Sequence, residues 1–143
     1  MDMPNENLSA WLSSFLAAQG AIAGTVHVVQ GELLELRAAV NIPEKVQAVT
    51  RTIPKGKGMA GLAWERMQPV STCNLKTDQT GDVRPGAKAV DAQAAVALPV
   101  LSAPGQLFGV VGLAFAGERE LSQAELDALG REAAKVRQAA QLS

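Results

Sequence analysis

A β-hairpin predicted in the second half of the chain restricts the fold more strongly than any other feature of the sequence. Two apolar stretches, residues 93–101 and 107–116, are separated by a short segment with Pro104 and Gly105 at its centre. Proline supplies the φ of the second residue of a type II turn, and glycine accepts the positive φ of the third. The two stretches are therefore predicted to pair as antiparallel strands.

The first half of the chain predicts a second hairpin. Residues 24–29 are rich in β-branched side chains, Gln30-Gly31 offers a tight turn, and residues 32–40 return as a strand. Four apolar residues of the returning strand are expected to share one face: Leu34, Leu36, Ala38 and Val40. Residues 46–53 are predicted as a third strand.

Helices are predicted where apolar residues recur at the spacing of one helical face. The N-terminal helix covers residues 6–19, and a short helix covers residues 59–67, before a brief strand at residues 70–72. The closing helix, residues 122–140, begins with the S-x-x-E pattern of a capping box at Ser122. Its apolar residues form a seam for the sheet or for a partner helix: Leu126, Leu129, Ala133, Val136 and Ala140.

The order of these elements indicates the class of fold. It runs helix, three strands, short helix, strand, long connection, hairpin, helix. Strands in runs with helices at the ends are typical of an α+β fold around a mostly antiparallel sheet. The length of 143 residues fits one domain, so residues 1–143 are predicted to form a single domain.

Charge and composition exclude several classes of function. Thirteen basic and fourteen acidic residues leave a net charge of −1, which gives no broad positive surface for nucleic acid. No apolar run reaches about 18 residues and no polybasic stretch is present, so no membrane interaction is expected. The acidic start lacks the positive region of a secretory signal, which predicts a cytoplasmic location. With one cysteine and one histidine, neither a disulfide framework nor a metal site is expected.

Several segments, taken in order from about residue 8 to residue 138, resemble the GAF family. The most recognisable is RTIPKGKGMAG at residues 51–61, which is similar to the family's r-x-I-P-x-G-x-G-h-A-G pattern, where h is apolar. QPV at 68–70 resembles the entry to the next strand, and ALPV at 97–100 with FGVVGL at 108–113 resembles the family's hairpin. LSQAEL at 121–126 resembles the start of its closing helix.

This resemblance implies a GAF-like central antiparallel sheet of five to six strands, with the N- and C-terminal helices on one face. It also implies a small-molecule pocket on the other face, roofed by the long connection that begins at Cys73. Polar residues of that connection, its cysteine and the one histidine are the candidate ligand contacts. These candidates are His27, Cys73, Asn74, Asp78, Arg84, Lys88 and Asp91. The resemblance leaves the ligand and any cofactor unknown.

Two features have alternative interpretations. His27 shares a strand face with Thr25 and Val29, where it either lines a pocket or points to solvent from an edge strand. The G-x-G-x-x-G spacing within residues 56–61 matches a dinucleotide fingerprint. That fingerprint needs a parallel strand–turn–helix unit, so the sequence favours a glycine turn with close helix packing.

Cys73 is interpreted either as a small buried hydrophobe or as a thiolate nucleophile near the cationic Lys76, Arg84 and Lys88. One GAF subfamily reduces free methionine sulfoxide, and a second cysteine resolves the sulfenic acid that forms. This chain has no second cysteine, so the same route would need an external thiol. Bilin attachment to a GAF cysteine usually involves an adjacent histidine, whereas Asn74 follows Cys73 here.

The favoured hypothesis is a sensory GAF domain that binds an unidentified small molecule, is not an enzyme, and acts through a partner or a homodimer. A homodimer is expected to form through apolar residues of the terminal helices, namely Trp11, Phe15, Leu126, Leu129 and Val136. One alternative is a thiol-dependent redox enzyme that uses Cys73. Another is an interaction domain whose vestigial pocket is filled by side chains.

Overall fold

The computed structural model of the chain describes residues 6–72, 94–117 and 120–141. The helices in these ranges are α1 (Glu6–Gln19), α2 (Glu44–Thr50), α3 (Gly58–Arg66), α4 (Gln123–Ala133) and α5 (Val136–Gln141). The strands are β1 (Ala23–Gln30), β2 (Leu33–Val40), β3 (Thr52–Pro54), β4 (Val70–Thr72), β5 (Ala94–Ala103) and β6 (Gln106–Phe115).

The six strands form one antiparallel sheet in the order β3-β2-β1-β6-β5-β4. Both predicted hairpins, β1–β2 and β5–β6, are present. Their turns place Gly31 at φ 64° and Gly105 at φ 75°, a conformation that glycine adopts without a Cβ clash. The sheet and the helices around it confirm the predicted α+β class.

The terminal helices cover one face of the sheet. α1 packs against β1 and β2, α4 packs against β5, and α5 packs against α1. The main core fills the space between these helices and the sheet, and its fully buried members include Leu8, Leu12, Leu98 and Leu113. The seam of the closing helix faces this core, where Ala133 is fully buried. The apolar seam of the closing helix therefore packs against the sheet and α1 of its own chain.

The residues assigned to a dimer contact lie in the same core. Phe15, Leu129 and Val136 are only 6%, 4% and 1% exposed. Trp11 stacks on Phe15 with 4.9 Å between ring centroids, and Leu126 packs against the core. Phe15, Leu129 and Val136 are therefore used within the chain, whereas Trp11 and Leu126 are only partly buried. The homodimer itself stays a prediction.

The closing helix begins with the predicted capping box. The Glu125 N–H donates to Ser122 Oγ at 3.1 Å, and the Ser122 N–H donates to Glu125 Oε1 at 3.2 Å. One continuous helix was predicted, whereas a turn at Ala134 and Lys135 separates α4 from α5. The Lys135 N–H donates to Glu132 O at 3.1 Å, a bond to the third preceding residue that tightens the chain at this point.

Residues 46–53, predicted as a third strand, instead form most of α2 and the start of β3. The N–H groups of Val46 and Gln47 donate to Pro43 O at 2.9 and 3.0 Å, which starts the helix. Thr50 Oγ1 donates to Val46 O at 2.8 Å. Val46 is the only buried side chain of α2, and Val49 is 57% exposed. Packing of Val46 against Ala23 and the neighbouring sheet residues overrides the strand preference of β-branched residues.

The prediction that the apolar residues of β2 share a face is also wrong. The β1–β2 register shifts so that Arg37 has no directly opposed residue on β1. Such a β-bulge reverses which face each later residue occupies. Leu34 therefore belongs to the core cluster beneath α3, while Ala38 belongs to the core beneath the terminal helices.

Candidate ligand-binding site

The face of the sheet opposite the terminal helices carries a cavity of about 150 Å³. β1, β5 and β6 form its floor, and residues of α2, β3 and α3 stand around it. The floor side chains are those of Thr25, His27, Ala95, Ala97 and Ala114. The described walls include Ile42, Val46, Thr50, Ile53, Met59 and Ala60. The lining is almost wholly apolar.

Small side chains on the floor leave room for the cavity. Along β5 and β6, the positions that face the terminal helices hold mostly valine, leucine or phenylalanine, and Ala94 at the start of β5 is an exception. The alternating positions that face the cavity hold mostly alanine or glycine. Strand pairing places Ala95 opposite Ala114 and Ala97 opposite Gly112, so the small residues lie side by side. This alternation of large and small residues is visible in the sequence, and the sequence prediction missed it.

His27 lies on the cavity floor and is only 3% exposed. Thr25 lines the same cavity, as strand alternation predicts. β1 lies in the interior of the sheet, so the alternative of an edge strand facing solvent is wrong. His27 Nε2 lies 2.8 Å from the carbonyl oxygen of Thr50, the last residue of α2. A carbonyl oxygen only accepts hydrogen bonds, so Nε2 carries the proton and donates.

The second ring nitrogen of His27 is an unused acceptor. With the proton on Nε2, neutral Nδ1 presents a lone pair, and it is buried with no hydrogen-bond partner. Burial lowers the pKa of His27 below its ordinary value of 6.5, and the bond to Thr50 only partly opposes that shift. The neutral form is therefore expected at pH 7. Leaving such a buried acceptor unsatisfied costs about 1–3 kcal/mol.

The buried histidine predicts a pH-dependent stability. Because the folded pKa lies below 6.5, the unfolded chain takes up the proton first as the pH falls. We expect the free energy of unfolding to be highest above pH 6.5 and to fall by up to about 1.4 kcal/mol per pH unit below it. Urea unfolding at pH 7.5 and pH 5.5 measures this, above the range in which carboxylates titrate.

His27→Gln is the matched variant for that measurement, since it removes the only histidine of the chain. In the variant, the free energy of unfolding should be nearly the same at pH 7.5 and at pH 5.5. An equal pH dependence in both proteins would assign the effect to other groups.

Backbone hydrogen bonds within the segment that has the G-x-G-x-x-G spacing hold it in a tight turn. The Gly56 N–H donates to Gly61 O at 2.8 Å, and the Gly61 N–H donates to Lys57 O at 3.0 Å. A Cβ at Gly61 would lie 2.5 Å from Pro54 O, so only glycine fits there. Every described strand pair is antiparallel, which makes the dinucleotide fingerprint the wrong interpretation and the packed glycine turn the right one.

Six of the candidate contacts lie outside the described residues: Cys73, Asn74, Asp78, Arg84, Lys88 and Asp91. His27 is the one candidate that the structure places, and it lies at the cavity. In the described part of the chain, no group of three or more His, Cys, Asp or Glu residues is arranged to hold a metal ion. None of the described helices has both the length and the apolar character needed to cross a membrane.

An antiparallel sheet with terminal helices on one face and a small apolar cavity on the other defines the class of GAF-like α+β domains. The chain belongs to the GAF domain family, whose model matches residues 8–140. No curated protein matches the sequence.

Solved structures share this fold at low sequence identity. The type II free methionine-R-sulfoxide reductase from Thermoplasma acidophilum has a TM-score of 0.76 at 16% identity, covering 97% of this chain and 93% of that chain. The GAF domain of an Acinetobacter phosphoenolpyruvate-protein phosphotransferase has a TM-score of 0.75 at 14% identity, covering 96% and 82%. The second GAF domain of DevS from Mycobacterium smegmatis has a TM-score of 0.68 at 22% identity, covering 98% and 94%. At these identities the likeness concerns the fold alone.

Proposed function

We propose that this chain is a regulatory module that binds a small molecule in the cavity between the sheet and helices α2 and α3. The observation that carries the proposal is a cavity of about 150 Å³ whose lining includes His27, a buried histidine with one ring nitrogen, Nδ1, that has no partner. Small-molecule sites usually combine apolar walls with a few polar groups that fix the orientation of the ligand. An engineered cavity of about 150 Å³ in another protein binds benzene, so this volume suits a compact ligand.

Helix α2 supports a regulatory role because it is weakly held. It has seven residues, and Val46 is its only buried side chain. Its last carbonyl accepts the hydrogen bond from His27, and Val49 on its outer side is 57% exposed. Elements with few buried contacts move at low free-energy cost. A ligand that contacts α2 would change the surface this helix offers to a partner protein or to a second copy in a homodimer. We place this action in the cytoplasm.

The redox enzyme is a second candidate because reductases of free methionine sulfoxide share the fold, including the one from Neisseria meningitidis with a TM-score of 0.70 at 17% identity. In this chain, Cys73 is the one cysteine, so turnover would consume an external thiol. Cys73→Ser tests the enzyme candidate, since it should abolish any thiol-dependent reduction of free methionine sulfoxide that the wild-type protein shows.

Native mass spectrometry of the freshly purified protein tests the binding proposal. We expect a small extra mass that disappears when the same sample is denatured. The identity of that mass would name the ligand class directly. A bare mass in both runs, together with no stabilisation by any small molecule in a thermal-shift screen, would contradict the proposal and favour an interaction domain.

A further inference from the structure

We infer that the cavity selects a compact, uncharged, mostly apolar molecule that donates one hydrogen bond to Nδ1 of His27. This inference rests on the proposed function, and it adds the chemical class of the ligand. Three observations carry it: the fixed tautomer of His27, the unsatisfied Nδ1 and the apolar lining.

The tautomer determines which kind of polar group is accepted. The Thr50 carbonyl 2.8 Å from Nε2 keeps the ring proton on that nitrogen. Nδ1 is then an acceptor only, so a ligand hydroxyl, amide or ring N–H satisfies it, whereas a ligand carbonyl or ether oxygen does not. A site with a buried acceptor also discriminates strongly against an analogue that lacks the donor, because the acceptor is then left unpaired.

The lining favours a neutral ligand. Within the described lining, the polar side chains are those of His27, Thr25 and Thr50, and none of them carries a charge at pH 7. The Thr50 hydroxyl already donates to Val46 O at 2.8 Å. A charged group in these surroundings would lose its hydration without a counter-ion, and that desolvation is far more costly than burying a neutral donor.

His27 also connects the ligand to α2. The ring accepts from the ligand at Nδ1 and donates to the last carbonyl of α2 at Nε2. Hydrogen bonds in such a chain polarise and strengthen one another. A donor at Nδ1 therefore strengthens the bond that holds α2 to the sheet, whereas an apolar ligand that fills the same space does not.

Phenol and toluene are the probes, because they have nearly the same shape and differ by a hydroxyl in place of a methyl group. Phenol is uncharged at pH 7, since phenolic groups titrate near pH 10. We expect phenol to bind the wild-type protein at least about tenfold more tightly than toluene in titrations followed by NMR, which corresponds to about 1.4 kcal/mol. In His27→Phe this preference should disappear.

A second readout does not depend on the folding of a variant. His27 is the only histidine, so its two ring nitrogens can be assigned without ambiguity in a ¹⁵N-labelled sample. The free protein should show the tautomer with the proton on Nε2. Phenol should shift the Nδ1 resonance towards that of a hydrogen-bonded acceptor, and toluene should leave it unchanged.

The outcomes separate this inference from the proposed function. Equal binding of phenol and toluene, with no change at Nδ1, would keep the cavity as a binding site and overturn the selection by His27. A free protein with the proton on Nδ1 would overturn the inference as well. No binding of either probe at millimolar concentration would contradict both the inference and the use of this cavity.

Discussion

Replacing Gly61 by alanine should lower the free energy of unfolding by about 3 kcal/mol, at the upper end of what overpacking usually costs. The added Cβ would lie 2.5 Å from Pro54 O and 3.1 Å from Gly56 N. Both are backbone atoms, and the Gly56 N–H is already bonded to Gly61 O at 2.8 Å. The clash therefore cannot be relieved by turning a side chain, and the whole turn between β3 and α3 has to move. Urea unfolding followed by circular dichroism measures the loss.

Gly130→Ala is the matched control for that substitution. Gly130 lies within α4, and a Cβ there would meet no atom within 4 Å. Alanine is favoured over glycine inside a helix, so this variant should gain about 0.5–1 kcal/mol. Because the chemical change is identical, opposite signs for the two variants would isolate the close packing of the glycine turn. A Gly61→Ala protein as stable as the wild type would show that the turn adjusts freely.

The parts of the fold that follow from local chemistry could be predicted from the sequence. The β5–β6 hairpin depends on Pro104 and Gly105, and the start of α4 depends on Ser122 and Glu125. In each case neighbouring residues supply the conformation and the hydrogen bonds, so no knowledge of the distant chain is needed. The resemblance to the GAF family predicted how these elements combine into one antiparallel sheet with the terminal helices on one face.

The failed predictions depend on contacts that are distant in the sequence. Alternation predicts a strand over residues 46–53, but Val46 packs against Ala23 and the cavity floor as part of helix α2. The bulge at Arg37 is a property of how β1 and β2 pair, which the alternation within β2 does not contain. In both places a preference within one segment loses to packing between segments.

In the candidate site too, local alternation predicted some residues, while others depend on contacts that are distant in the sequence. Period-two alternation placed His27 on the face of Thr25, and the structure puts both at the cavity. Thr50, which fixes the tautomer of His27, is 23 residues away, and nothing in the sequence predicted its contact with the histidine. The six loop candidates lie outside the described residues, so their role in ligand binding stays a prediction.

Ala114→Leu should strongly weaken ligand binding without loss of stability. Ala114 lies on the cavity floor opposite Ala95, where both side chains are small and partly buried. Leucine adds three carbon atoms into a space of about 150 Å³, so the side chain occupies the volume a ligand would use. Filling a cavity with an apolar group commonly stabilises a protein by about 0.5–2 kcal/mol. We expect the affinity for phenol to fall more than tenfold while the melting temperature is equal or higher.

Ala18→Leu controls for the change of residue, because Ala18 is exposed on α1, on the opposite face of the sheet. It adds the same three carbon atoms away from the cavity, and it should bind phenol as the wild type does. If the Ala114→Leu protein does not fold, Ala95→Val is the fallback variant. It fills less of the same cavity from the facing strand and should also weaken phenol binding. Wild-type affinity in a folded Ala114→Leu protein would place the ligand elsewhere and remove the cavity from the account of function.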